Sequence, residues 1–78
     1  MKPYKASILF ADNGTLNLRV SRFPNSEIGT GIIIATVPGT PKDLPVWMIE
    51  AYSAINTQCP QTLLEAQLIA SLAKVNHD

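Results

Sequence analysis

The stretch "ADNGTLNL", residues 11 to 18, predicts a β-hairpin, and the rest of the fold can be built outward from it. Asn13 and Gly14 are residues that tight turns favour. Strand-like runs lie on both sides of them, "YKASILF" at residues 4 to 10 and "TLNLRVSRF" at residues 15 to 23. An apolar run on each side of an Asn-Gly pair is typical of two antiparallel strands joined by a short loop.

The hydrophobic pattern also predicts how the two strands pair. A two-residue turn at Asn13 and Gly14 would set Phe10 opposite Asn17 and mix apolar and polar residues on one face. A three-residue loop that begins at Asp12, with Gly14 in the left-handed conformation, sets Phe10 opposite Leu16 instead. We predict the second register, because a slip of one residue moves a whole hydrophobic set to the wrong face. The core side then contains Ala6, Ile8, Phe10, Leu16, Leu18 and Val20, and the outer face contains Lys5, Ser7, Leu9, Asn17, Arg19 and Ser21.

A third strand is predicted at "IIIATV", residues 32 to 37, after a loop at residues 24 to 31. This run is β-branched and shows no polar alternation, which is typical of a strand covered on both faces. We expect it to be the central strand, or the edge through which two copies pair.

The pattern changes to a helical period after residue 43. Asp43 is the predicted N-cap, with Leu44 and Pro45 in the first turn. At about 100° per residue, one stripe faces the sheet and two apolar residues, Val46 and Ile49, project to the other side. The inward stripe consists of Leu44, Met48, Ala51 and Ile55, with Trp47 and Tyr52 beside it.

A second helix is predicted in "PQTLLEAQLIASLAKV", residues 60 to 75. Thr62 and Glu65 have the spacing of a capping box, although a start at Cys59 and Pro60 is an alternative. A helix this apolar is either buried on two sides or forms a subunit contact. One stripe consists of Leu64, Leu68, Leu72 and Val75, and the apolar surface continues through Leu63, Ala66, Ile69, Ala70 and Ala73.

Together these patterns predict one α+β domain over residues 1 to 78. It consists of a three-stranded, largely antiparallel sheet, formed by a β-hairpin and a third strand, and two C-terminal helices packed on one face. A chain of 78 residues can bury only a small core by itself. We therefore predict a homodimer, in which two copies share their cores.

Composition excludes several classes of protein. The formal net charge is zero and charged residues make up 15% of the chain, which argues against a general polyanion binder. Cys59 is the single cysteine, so the fold is not stabilised by an internal disulfide. The N-terminal apolar run is too short for a signal peptide or a membrane-spanning helix. We expect a cytoplasmic protein that does not engage a membrane.

The residues that carry catalytic chemistry are scarce and scattered. A thiol at Cys59, just before a helix start, is the sharpest candidate, because a helix N-terminus can stabilise a thiolate. The single histidine, His77, lies on a tail that is expected to fray, so no base is placed to activate the thiol. We predict no catalytic, cofactor-binding or metal-binding residues, and hence a protein that is not an enzyme.

Two kinds of partner remain. Val46, Trp47 and Ile49 predict a protein-binding surface, although Trp47 is equally compatible with an ordinary core position. This favours a small accessory or regulatory protein that inhibits or modulates a protein partner, as small bacterial or phage-encoded modulators do. The alternative is nucleic-acid binding through the outer face of the hairpin. The residues that would carry that alternative are Lys5, Asn17, Arg19 and Ser21.

Overall fold

A computed structural model of the protein describes residues 4–22 and 31–76. Of the predicted loop at residues 24 to 31, only Gly31 falls within these ranges, and the predicted fraying of His77 lies outside them. The elements are β1 (Tyr4–Phe10), β2 (Thr15–Arg22), β3 (Ile32–Pro38), a 3-10 turn (Pro41–Asp43), α1 (Val46–Gln58) and α2 (Leu63–Val75). Three antiparallel strands followed by two helices that contact the sheet confirm the predicted α+β fold.

The predicted hairpin register is confirmed. Phe10 pairs with Leu16, and the remaining pairs follow in the same register along β1 and β2. The Ala11 N–H donates to the Thr15 carbonyl at 2.9 Å, which closes a three-residue loop. Gly14 has a φ of +81°, a left-handed conformation that a glycine adopts at little cost. The hydrophobic set of the hairpin is thereby placed on one face of the sheet.

The core lies between this face and the two helices, and one residue of the predicted hairpin core is misplaced. Phe10 is 50% exposed, although the pattern assigned it to the core. Asn56, near the end of α1, bonds to Ala6 of β1, whereas Trp47, near its start, lies beside β3. Helix α1 therefore crosses the sheet diagonally and leaves the corner at Phe10 uncovered. The buried core consists of Ala6, Leu16, Leu18, Val20, Met48, Ala51, Ile55, Ala66 and Ala70.

The expectation that β3 is the central, doubly covered strand is wrong. The strand order is β1-β2-β3, so β2 is central and β3 lies at an edge. Ile32 and Ile33 are half exposed, and Ile34 is an extra residue at a β-bulge opposite Leu18 and Arg19. Sequential antiparallel strands are usually neighbours, and β1 already occupies one side of β2, so β3 takes the outer position. The other expectation, that two copies pair through this edge, stays a prediction.

Helix α1 begins later than predicted, because Pro45 restricts the residue before it. The N-cap of α1 is Pro45, with no side-chain cap, and Asp43 instead ends a 3-10 turn and accepts a hydrogen bond from the Thr40 hydroxyl at 2.9 Å. A residue that precedes a proline disfavours the helical conformation. Leu44 accordingly has extended angles (φ −61°, ψ 120°), which prevents a continuous helix from Asp43.

The start of α2 agrees with the capping-box prediction and excludes the earlier start. Thr62 is the N-cap, and its hydroxyl oxygen accepts a hydrogen bond from the Glu65 N–H at 3.1 Å. The Thr62 hydroxyl also lies 3.2 Å from the Glu65 carboxylate, to which it donates. The N-terminus of α2 is therefore capped by Thr62, and Cys59 is the C-cap of α1.

The outer edge of β1 is closed by α1 and by the connection that follows it. Asn56 Oδ1 accepts a hydrogen bond from the Ala6 N–H at 2.8 Å, and its Nδ2 donates to the Ala6 carbonyl at 3.5 Å. The Tyr4 N–H donates to the Pro60 carbonyl at 3.1 Å. Main-chain groups that would otherwise be open to another strand are thereby satisfied within the chain.

Replacing Asn56 by alanine is expected to lower the free energy of unfolding by about 1–2 kcal/mol, because the partly buried Ala6 main chain loses both partners. Urea denaturation measures this change. Thr57→Ala is the matched control, since Thr57 is exposed on the same turn of α1. Equal stability of the two variants would contradict a role for Asn56 in holding β1.

Candidate interaction surfaces

Helix α2 packs on the domain through Ala66 and Ala70, with the partly buried Leu63, Ile69 and Ala73 beside them. Ala66 is fully buried and Ala70 is 4% exposed. The opposite side of the helix, which we call the leucine stripe, is open. Its members are Leu64 (75% exposed), Leu68 (58%), Leu72 (55%) and Val75 (66%). A contiguous row of exposed large apolar side chains marks an interaction site more often than a plain surface.

Helix α1 also presents apolar residues on the side that faces away from the sheet. Its sheet side is buried through Met48, Ala51 and Ile55, whereas Val46 and Ile49 are exposed. The predicted outward projection of Val46 and Ile49 is therefore confirmed, and their role in partner binding stays a prediction. Helices α1 and α2 pack against each other, and we call the two together the helical layer.

Trp47 packs against the core on one side and is open to a cavity on the other. It is half-buried and packs against the core, and its ring lies 5.9 Å from the Lys74 ammonium of α2. This distance is within the range of a cation–π interaction. Trp47 also lines a cavity of about 170 Å³ between α2 and β3. It is thus a core residue with one side open to a cavity, next to a positive charge.

The outer face of the hairpin is placed as predicted, but its polar groups are partly engaged within the sheet. Lys5 is exposed at the β1 edge, and Ser21 is half-buried opposite it. Asn17 accepts a hydrogen bond from the Thr36 hydroxyl at 3.0 Å. The Arg19 Nε is buried without a hydrogen-bond partner among the described residues.

The aliphatic stem of Arg19 packs against Gly31. A Cβ at Gly31 would come within 2.6 Å of the Arg19 Cγ and 2.8 Å of the Val20 carbonyl. A residue larger than glycine at this position would therefore displace the arginine stem. Nucleic-acid binding by this face stays a prediction that no contact of the described residues favours.

Cys59 lies at the end of α1 and not at the start of α2. It adopts a left-handed conformation (φ 51°), and its N–H donates to the Ile55 carbonyl at 2.9 Å. The thiol is exposed and lies 3.6 Å from the Asn56 carbonyl, to which it donates. A shallow cavity of about 230 Å³ beside it is lined by Tyr4, Lys5, Asn56 and Cys59. This geometry explains Cys59 as a helix-ending residue.

The sequence does not indicate which side of α2 packs inward. Both sides of this helix are apolar, so periodicity alone cannot separate the buried alanines from the exposed leucines. The size of the residues was an available indication, since small residues permit close approach of a helix to its neighbours. The bulge at Ile34 lies beside the cavity at Trp47. No pattern in the β-branched run at residues 32 to 37 indicates that a bulge forms there.

The described part of the chain contains neither a metal-ligand cluster nor a helix of membrane-spanning character. Within residues 4–22 and 31–76, no group of three or more His, Cys, Asp or Glu side chains is arranged to hold a metal ion. No helix in the same ranges has the length and apolar character needed to cross a bilayer. Comparison of the chain with protein-family models, with curated proteins and with solved structures found no match.

Proposed function

We propose that this protein is a small, non-catalytic accessory or regulatory protein that modulates or inhibits a partner through protein–protein contacts, and that it self-associates through its helical layer. The leucine stripe is the observation that carries the proposal, since four large apolar side chains are each more than half exposed on a 13-residue helix. The single cysteine supports a reducing, cytoplasmic setting.

The energetics favour a second copy as one occupant of the helical layer. Burying the exposed part of each stripe residue contributes roughly 1–2 kcal/mol, so two copies together gain on the order of 10 kcal/mol. Association costs about 4–15 kcal/mol in lost rigid-body freedom. The free energy gained by burying the leucine stripe is therefore comparable with the free-energy cost of association. The exposed Val46 and Ile49 of α1 supply additional apolar area.

The spacing of the stripe suits a two-fold contact. Leu64, Leu68 and Leu72 are four residues apart and form a single ridge along α2. A two-fold axis near Leu68 places Leu64 of one copy opposite Leu72 of the other, so the same patch serves both copies. The helix dipoles run antiparallel in this arrangement, which avoids placing like ends together.

Replacing Leu68 by lysine is expected to convert the dimer to a monomer. A lysine at the centre of the contact between the two leucine stripes buries a charge without a partner. This weakens association at least about a hundredfold. Sedimentation velocity over a range of protein concentrations measures the change. Because Leu68 is 58% exposed in the single chain, the variant should keep its fold, and circular dichroism checks this.

Gln67→Lys is the matched control. It introduces the same charge one residue away, at an exposed position outside the leucine stripe. The control should remain dimeric. A natural chain that stays monomeric at millimolar concentration, or a Leu68→Lys variant that dimerises like the control, would refute self-association through the leucine stripe.

A further inference from the structure

The cavity between β3 and the C-terminal half of α2 is not used by the fold or by the helical layer. It has a volume of about 170 Å³, and Trp47 forms part of its wall. Its other walls are Ile34, Ala35 and Thr36 of β3 and Ala70, Ser71 and Lys74 of α2. Small-molecule sites usually have volumes of about 300–1,000 Å³, so this cavity has the size of one inserted side chain.

The β-bulge in β3 accounts for the opening. Leu18 pairs with Ala35 and Arg19 pairs with Ile33, which leaves Ile34 without an opposite residue. A bulge bends the strand that contains the extra residue. Helix α2 packs mainly on α1 and only lightly on β3, so the bend leaves a gap beside the bulge.

The outer edge of β3 carries main-chain groups that point away from the sheet. The Ala11 N–H bonds to the Thr15 carbonyl, so Thr15 and every second residue after it direct their main-chain groups toward β1. Leu18 therefore faces β3, and its partner Ala35 faces β2. Thr36, one residue further, directs its N–H and carbonyl outward. In the described part of the chain, β3 receives backbone hydrogen bonds from β2 alone.

This edge differs from the outer edge of β1. Asn56 and Pro60 satisfy main-chain groups of β1, whereas the described residues provide no equivalent cover along β3. The sequence of β3, "IIIATVP", also contains no charged residue of the kind that usually discourages pairing at an edge. An extended segment that adds to a sheet gains its affinity from such main-chain groups and its specificity from side-chain pockets beside them.

The charge at the cavity indicates which side chains such a segment carries. Lys74 is the one ionisable residue in the lining, and its ammonium lies over the Trp47 ring at 5.9 Å. A carboxylate next to the cavity would pair with this ammonium. An apolar side chain two residues from that carboxylate, on the same face of the added strand, would contact the indole ring and Ile34.

We propose that β3 and α2 form a binding groove for an extended peptide segment of a protein partner. The segment adds as a strand along Thr36, inserts an apolar side chain toward Trp47 and places a carboxylate at Lys74. This inference rests on the proposed function in protein–protein contact, but it uses a surface separate from the leucine stripe.

The test is selection of peptides from a random heptapeptide phage library against the immobilised full chain, followed by fluorescence titration of the enriched peptides. Enriched sequences should carry an apolar and an acidic residue two positions apart, because alternate residues of a strand share a face. Thr36→Pro, which removes the outward N–H, and Lys74→Glu, which reverses the charge, should each weaken binding at least about tenfold.

Three controls make the result specific. Thr36→Val keeps the main-chain N–H and loses the hydroxyl, and Gln67→Glu adds the same charge elsewhere on α2, so both should bind like the natural chain. The Leu68→Lys variant should also bind, whether or not the chain dimerises. The experiment can therefore refute peptide binding in the groove without refuting self-association through the leucine stripe, and the reverse.

Equal peptide binding by Thr36→Pro and Thr36→Val would overturn the proposal. So would enrichment of peptides without an acidic residue, or the absence of any enrichment. If Thr36→Pro dissociates a dimer that Thr36→Val preserves, a second copy occupies the edge and the peptide groove is refuted. Circular dichroism of each variant confirms that the fold is intact before binding is compared.

Discussion

Leu18→Ala is expected to lower the free energy of unfolding by about 2–5 kcal/mol, because Leu18 is fully buried in the central strand and its loss leaves a cavity. The same substitution at Leu64 should cost less than about 1 kcal/mol, since that side chain is 75% exposed in the single chain. Urea denaturation at low protein concentration measures both values without a contribution from association.

The comparison tests which apolar residues hold the domain together. Both substitutions remove the same atoms from a leucine, so the difference reports the surroundings and not the chemistry. A large loss at Leu64 would show that α2 packs through its leucine stripe, and the surface that carries the proposed self-association would then be part of the core.

The hairpin was predictable because one physical rule excludes the competing register. In the alternative register, Phe10 would pair with Asn17, and polar residues would enter the core side of every pair along the two strands. The observed pairing of Phe10 with Leu16 follows from that rule. The exposure of Phe10 does not follow, because it depends on the diagonal path of α1 across the sheet.

The errors at β3 and at the start of α1 have separate causes. The apolar character of β3 suggested coverage on both faces, but a three-stranded sheet in which β1 pairs with β2 leaves β3 at an edge. Pro45 was expected inside the first turn of α1. The restriction that it imposes on Leu44 delays the helix to Val46, and this restriction could have been applied from the sequence.

The interaction surfaces were predictable only in part. The outward projection of Val46 and Ile49 followed from the helical period, once one stripe of α1 was assigned to the sheet. Both sides of α2 are apolar, so the period did not decide which side packs inward, and that orientation depends on three-dimensional packing. The edge and bulge of β3 depend on contacts with β2, which no pattern within β3 records.

Ala66→Leu is expected to destabilise the protein by about 1–3 kcal/mol, because Ala66 is fully buried where α2 packs on the domain and the larger side chain must displace its neighbours. Gln67→Leu is the matched control, since it places a leucine one residue further along the helix at an exposed position and should change stability by less than about 0.5 kcal/mol. Thermal or urea unfolding at low concentration measures both variants. An unchanged stability in Ala66→Leu would mean that α2 can rotate to bury its leucines. In that case the alanines do not fix the orientation of the helix, and the leucine stripe would not be permanently available to a second copy.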